Sequence, residues 1–76
     1  MTAYEELACA IVETAIKDYR KLIARIRDNT EDFVAIKECK KVISFFRSDW
    51  YKVLTHIDGN FVVDKVWDQV FYKTVN

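Results

Sequence analysis

Residues that break regular secondary structure are almost absent from this chain. It contains no proline and a single glycine, Gly59, in 76 residues. Proline and glycine mark most turns and strand ends, so a chain nearly free of them favours helices joined by short turns. We therefore predict an all-α fold of three to four helices in one domain spanning residues 1–76. Apolar residues make up 51% of the chain, and we expect them to form the core without a cofactor, metal or disulfide.

A long first helix is predicted from Thr2 to about Asn29. Thr2 and Glu5 have the T-x-x-E spacing of a capping box. Apolar residues then recur at steps of three and four, which places them on one helical face. The face consists of Tyr4, Ala8, Ile11, Ala15, Tyr19, Leu22 and Ile26, widened by Val12, Ile16 and Ile23. Such a rod, roughly 39 Å long at 1.5 Å per residue, is too long for three short helices to cover, and this favours a homodimer.

The second helix is predicted to begin at Asn29 or Thr30, with Glu31 and Asp32 in its first turn. It is expected to form an antiparallel hairpin with the first helix. Its apolar face is predicted to contain Val34 or Ala35, Cys39, Val42, Ile43, Phe45 and Phe46.

Two further helices are predicted in the remaining third of the chain. Ser48 is the expected N-cap of the third, whose core-facing side chains would be Trp50, Val53, Leu54 and Ile57. The valine-rich segment after Gly59 has strand propensity. However, its apolar side chains share one helical face, and we predict a fourth helix. That face contains Val63, Val66, Trp67 and Val70.

Catalytic and metal-binding patterns are weak. One histidine and two distant cysteines do not form a zinc-binding set, and Cys9 and Cys39 are predicted to be reduced and buried. His56 and Asp58 have an H-x-D spacing, but positions two apart on a helix do not face each other. A Cys39–His56 nucleophile pair would need a reactive thiol, whereas Cys39 is on the predicted core face. The chain is therefore not expected to be an enzyme.

The charges leave two classes of partner open. Twelve basic and twelve acidic residues give no net charge, and hence no overall attraction to nucleic acid or an anionic membrane. A local basic face is still expected if the first two helices pair. It consists of Lys17, Arg20, Lys21, Arg25, Arg27, Lys37, Lys40 and Lys41. These residues are candidate nucleic-acid contacts, or they serve helix dipoles and solubility.

The sequence "FFRSDWYKVLTHIDG", residues 45–59, contains the candidate protein-contact residues Arg47, Trp50 and Tyr51. Ser48 and Asp49 are explained by capping alone. Trp50 and Tyr51 are adjacent, so one helical face does not bury both. With Trp50 assigned to the core, Tyr51 is expected to be exposed, and exposed aromatic residues beside an arginine are typical of interface hot spots.

The same stretch resembles a family of small phage and prophage proteins of Gram-positive bacteria. The similarity runs from about Ile16 to Val66. It rests on an A-x-x-D-Y-R segment, on F-F-x-S-x-W and on L-T-x-I-D-G. The resemblance implies a phage accessory protein and transfers no catalytic residue.

The expected function is non-enzymatic protein–protein interaction, with an unidentified protein partner. Targets include host or phage nucleic-acid machinery, and inhibition of a host defence such as CRISPR belongs to this class. The alternative is a small nucleic-acid-binding protein. The acidic N-terminus does not resemble a signal peptide, and the longest uncharged run, "LACAIV", is too short to cross a bilayer. We therefore expect a soluble protein in the cytoplasm of a bacterial host cell, without a membrane partner.

Overall fold

A computed structural model describes residues 2–72 and contains four helices. They are α1 (Ala3–Asp28), α2 (Phe33–Phe46), α3 (Asp49–Leu54) and α4 (Gly59–Phe71). Within that range there is no strand, so the all-α prediction and the helical interpretation of the valine-rich segment are confirmed. The last residues of the chain, 73–76, lie outside the described range.

The predicted capping box begins α1. The Thr2 hydroxyl accepts from the Glu5 backbone N–H at 3.1 Å, and the Glu5 carboxylate accepts from the Thr2 N–H at 3.0 Å. The hydrogen bond from the Thr2 backbone N–H to the carboxylate, with a smaller contribution from the Thr2 side chain, holds the pKa of Glu5 below its ordinary value. At the other end, the backbone N–H of Asn29 donates to the Arg25 carbonyl, so both predicted ends of α1 are confirmed.

α2 begins later than predicted, at Phe33 instead of Asn29 or Thr30. Asp32 is its N-cap and accepts from the Ala35 N–H at 3.0 Å. Arg25 also donates to both carboxylate oxygens of Asp32, at 3.0 and 3.2 Å. This contact links the cap of α2 to the last turns of α1, and residues 29–32 form the connection between the two helices.

The core lies where α1, α2 and α4 meet. Its largest fully buried side chains are Tyr19, Ile23, Phe46 and Tyr51. α2 returns antiparallel to α1, because Asp32 at its start contacts Arg25 whereas Phe46 at its end packs edge-on against Tyr19. The predicted hairpin of the first two helices is therefore confirmed.

The buried residues of α1 all belong to the predicted face, but not every residue of that face is buried. Ala8, Val12, Tyr19 and Ile23 are buried, whereas Tyr4 is 58% exposed and Ile11 and Leu22 are half-buried. Tyr4 lies in the first turn, where the neighbouring groove is formed only by α1, α3 and the turn after α3. Few residues therefore pack against this end of α1, as expected for a helix that is longer than its neighbours.

α4 packs through valines, and two arginines of α1 hold its C-terminal end. Val62, Val63, Val66 and Val70 are buried, whereas Trp67, predicted on the core face, is 40% exposed and stacks on Phe71. The side chains of Arg20 and Arg27 donate to the Gln69 side chain and the Val70 carbonyl, at 2.9 and 3.0 Å.

Gly59 marks the closest approach between α2 and α4. A Cβ atom at this position would overlap the carbonyl oxygen of Phe46 and lie 2.8 Å from its carbonyl carbon. Its backbone φ is not positive. The glycine is therefore required because the two helices approach closely here, and not because of its backbone conformation. Among residues 2–72, no helix has the length and hydropathy needed to cross a membrane.

Candidate protein-contact surface

α3 presents a different face to the core from the predicted one. Tyr51 is 1% exposed, whereas Trp50 is 56% exposed, Val53 66% and Ile57 55%. The expectation that Tyr51 is exposed and Trp50 buried is therefore wrong. A rotation of about 100°, one residue step, separates the predicted from the observed face. The premise that only one of the two adjacent aromatic rings is buried is correct.

The corner before α3 explains this orientation. Ser48 is the N-cap, as predicted, and its hydroxyl accepts from the Tyr51 N–H at 3.1 Å and donates to the Phe45 carbonyl at 2.6 Å. The short connection brings the Tyr51 ring edge-on to Phe45 and Phe46, with centroids 5.7 and 5.5 Å apart. Tyr51 thereby extends the aromatic core, and Trp50 is left outside against Phe45 at 5.6 Å.

The outward side of α3 and the first half of α1 together form an apolar surface, which we call the α1–α3 face. Its exposed members are Tyr4, Trp50, Val53 and Ile57, and its floor consists of the buried or half-buried Ala8, Val12, Ile16 and Leu54. Two adjoining grooves of about 320 and 250 Å³ run along it and share Ala8, Cys9, Leu54 and Thr55 as lining. Tyr4 and Val53 border the first groove, and Ile57 borders the second.

The two edges of the α1–α3 face differ in charge. Along α1, Glu5 lines one groove and Glu13 the other, and no lysine or arginine occurs between residues 2 and 16. Along α3 the charges are of both signs, because Lys52 pairs with Asp49 at 3.7 Å and Asp58 lines the cleft beyond the helix together with Arg47 and His56. Exposed apolar side chains bordered by charged residues are the usual composition of a protein-contact surface.

Arg47 is exposed, and it also has a structural contact. Its Nε donates to the side-chain oxygen of Asn60 at 3.0 Å and so links the end of α2 to the first turn of α4. Its backbone N–H donates to the Ile43 carbonyl and ends α2. Arg47 therefore remains a candidate contact residue at the edge of the corner, beside its role in positioning α4.

The predicted basic residues of α1 and α2 are interleaved with acids. Arg25 pairs with Asp32 at 3.0 Å, Arg27 with Asp28 at 3.3 Å and Lys41 with Glu38 at 3.2 Å. Asp18 and Glu38 line the same groove between α1 and α2 as Lys21 and Arg25. The structure places Lys17, Arg20, Lys37 and Lys40 at the surface as well. The interleaved acids reduce the positive potential that a phosphate backbone would meet.

The two cysteines occupy different environments, and neither forms a disulfide. Cys39 is buried as predicted, and burial raises the pKa of its thiol. Cys9 is exposed, contrary to the prediction, because it follows Ala8 at the edge of the part of α1 covered by α3. A thiol with a raised pKa is a poor nucleophile, so the Cys39–His56 pairing has no chemical support.

His56 and Asp58 line a polar cleft of about 360 Å³ between α3 and α4. The Asp58 carboxylate is the N-cap of α4 and accepts from the Asn60 N–H at 3.0 Å. It is thus engaged by the backbone and does not orient His56. Within residues 2–72, no three His, Cys, Asp or Glu side chains are grouped closely enough to bind a metal ion.

Sequence reasoning missed most of the α1–α3 face. Tyr4, Val53 and Ile57 were assigned to the core because their spacing matched a helical face. The signal that points to them is the shortness of α3: six residues cover little more than one turn and a half, so a helix of this size buries only one side.

Comparison of the chain with protein-family models, curated proteins and solved structures gave no match.

Proposed function

We propose that this chain is a non-enzymatic interaction module that binds protein through the α1–α3 face. The observation that carries the proposal is the exposure of Trp50 and Val53 on one side of α3 and of Ile57 in the turn that follows, each more than half exposed. Leaving large apolar side chains in water forgoes roughly 1.5–3 kcal/mol each compared with burial. A partner that covers them recovers part of that free energy.

The composition of the face fits a contact surface better than a small-molecule site. Tryptophan and tyrosine are the residues most enriched in interface hot spots, together with arginine. Trp50 and Tyr4 are held by ordered helices, so they lose little conformational freedom when a partner binds. Arg47 is a candidate contact beside them, whereas Tyr51 acts from within the core by holding α3 in place.

A phage setting is part of the proposal and rests on the F-F-x-S-x-W and L-T-x-I-D-G resemblance. Phage accessory proteins of this size act on larger host or phage machinery, and an inhibitor of a host defence such as CRISPR belongs to this class. Nucleic-acid binding through α1 and α2 is the alternative. The ion pairs of Arg25, Arg27 and Lys41 with neighbouring acids favour the first function.

A matched pair of double variants tests the proposal. Trp50→Gln with Val53→Gln removes exposed apolar area from the α1–α3 face. Phe33→Gln with Val34→Gln removes a comparable area from the first turn of α2, where the two side chains are 73% and 65% exposed. Each protein is immobilised and used to capture proteins from a Gram-positive bacterial lysate, with and without nuclease.

We expect the wild type and the α2 variant to retain the same captured proteins and the α3 variant to lose them. Nuclease should not change this pattern. Equal capture by all three proteins would contradict the assigned surface. Capture that disappears with nuclease and weakens steeply with salt would instead support the nucleic-acid alternative.

A further inference from the structure

We infer that the partner that covers the α1–α3 face is a second copy of this chain, related by a two-fold axis. The inference rests on the proposed function, because it names the occupant of the same surface. Two properties of the face support it: its shape and its area.

The shape of the face is self-complementary. The outward side of α3 and the turn after it form an apolar ridge of Trp50, Val53 and Ile57, and the grooves beside it are lined by Ala8 and Leu54. A two-fold contact requires one surface that carries both a projection and a matching recess. In such a pair, α3 of each copy lies in the α1–α3 groove of the other.

The area of the face matches what a stable dimer needs. Tyr4, Trp50, Val53 and Ile57 are each between 55% and 66% exposed. Four side chains of this size expose on the order of 500 Å² of mainly apolar surface. A standard interface buries about 800 Å² per partner, a little over half of it apolar, so the face provides the apolar part and its charged edges the remainder.

The chain length gives a further argument for a second copy. α1 has 26 residues and its neighbours 14, 6 and 13. The first turns of α1 therefore receive cover only from α3, and Tyr4 remains exposed. Pairing through the α1–α3 face places a second α3 against this end of α1 and completes its burial without another domain.

Sedimentation velocity across micromolar concentrations tests the inference on the full chain. We expect the wild type and the Phe33→Gln/Val34→Gln control to sediment with twice the 9.0 kDa mass of one chain. The Trp50→Gln/Val53→Gln variant should sediment as a single chain with unchanged helical circular dichroism. A wild type that remains at one chain mass throughout, or equal dimerisation of both variants, overturns the inference.

Thiol labelling gives a second readout that needs no variant. Cys9 lines both grooves of the face, whereas Cys39 is buried elsewhere in the core. If a second copy covers the face, a thiol reagent should modify Cys9 several-fold more slowly at high protein concentration than after dilution. A Cys9 labelling rate that is independent of concentration contradicts the dimer, even if a variant fails to fold.

The two proposals fail in distinguishable ways. A monomeric wild type whose protein capture is still lost in the Trp50→Gln/Val53→Gln variant refutes the second copy and leaves the contact surface in place. A monomer whose capture does not depend on these residues refutes both.

Discussion

Tyr51 connects α3 to the core through its ring, while its hydroxyl group has no hydrogen-bond partner among residues 2–72. The ring contacts both Phe45 and Phe46. Burial, with a smaller effect from the Asp58 carboxylate, raises the pKa of the Tyr51 hydroxyl. A buried polar group without a partner costs free energy, so the ring stabilises the fold and the hydroxyl opposes it.

Two substitutions at Tyr51 should therefore have opposite consequences. Tyr51→Ala is expected to lower the free energy of unfolding by about 3–5 kcal/mol, as for other buried aromatic-to-alanine changes. Tyr51→Phe keeps the ring and should leave the free energy of unfolding unchanged or slightly higher. Urea unfolding followed by circular dichroism measures both. A large loss in Tyr51→Phe would show that the hydroxyl is hydrogen-bonded in the folded protein.

Gly59 gives a second test at a single residue. Gly59→Ala is expected to destabilise the protein by about 1–3 kcal/mol or more, because the added methyl group overlaps the Phe46 carbonyl and forces a shift in a packed region. At an open helical position the same change would stabilise by roughly 0.5–1 kcal/mol. A lower thermal unfolding temperature in Gly59→Ala would support the close approach of α2 and α4, and a higher one would contradict it.

The local sequence predicted the ends of the helices better than it predicted their buried sides. The caps at Thr2 and Ser48 depend on hydrogen bonds within four residues, so the sequence around them predicts them well. The start of α2 has a local cap as well, from the Ala35 N–H to Asp32, but Arg25, seven residues before Asp32, also bonds this carboxylate, and the prediction there was wrong by a few residues. Contacts made across a turn are not visible in the local pattern.

Helical faces were less predictable than helical ends. Periodicity tells which residues share a side of a helix, but not which side the rest of the chain covers. In α4 the valines indicated the buried side correctly, because several of them lie on the same side of the helix and are buried. In α3 the contacts of Tyr51 with Phe45 and Phe46 outweigh the apolar side that contains Trp50 and Val53. The candidate surface is thus the part of the fold that the pattern assigned to the core.

The cap of α3 can be tested without altering either face of the helix. Ser48→Ala removes the acceptor for the Tyr51 N–H and is expected to cost about 0.5–2 kcal/mol of stability. Ser48→Thr retains a hydroxyl group and should lose much less. Chemical denaturation of the two variants gives the comparison. Equal losses would mean that the side chain at this corner matters through its size and not through the cap.

The junction of α1 and α2 should respond to acid. The hydrogen bond from the Ala35 N–H, with the Arg25 guanidinium as a further cause, lowers the pKa of Asp32 from its ordinary 3.8. Because the folded state holds the lower pKa, this stabilisation is present above pH 3.8 and is lost as the pH falls through the folded-state pKa.

Asp32→Asn should remove that part of the acid dependence. Its unfolding midpoint should fall less than that of the wild type when the pH is lowered from neutrality to below the ordinary pKa of Asp32. Asp64→Asn, an exposed change within α4, is the matched control and should retain the wild-type dependence. Parallel pH curves for all three proteins would contradict the role given to Asp32.

For the whole molecule, the central question is whether the apolar side of α3 serves the fold of one chain or its association. The buried core lies on the Tyr51 side of the helix, and the outward side exposes Trp50, Val53 and Ile57. A surface used for association contributes stability only when the partner is bound, so its contribution grows with protein concentration. A surface that belongs to the core contributes at every concentration.

The urea unfolding midpoint, measured over a wide range of protein concentration, separates these two roles. For the wild type we predict a midpoint that rises with concentration. For Trp50→Gln/Val53→Gln we predict a midpoint that is independent of concentration and equal to that of the dilute wild type. A variant that unfolds far below the dilute wild type would show that these side chains belong to the core, and would contradict the assignment of the α1–α3 face as a contact surface.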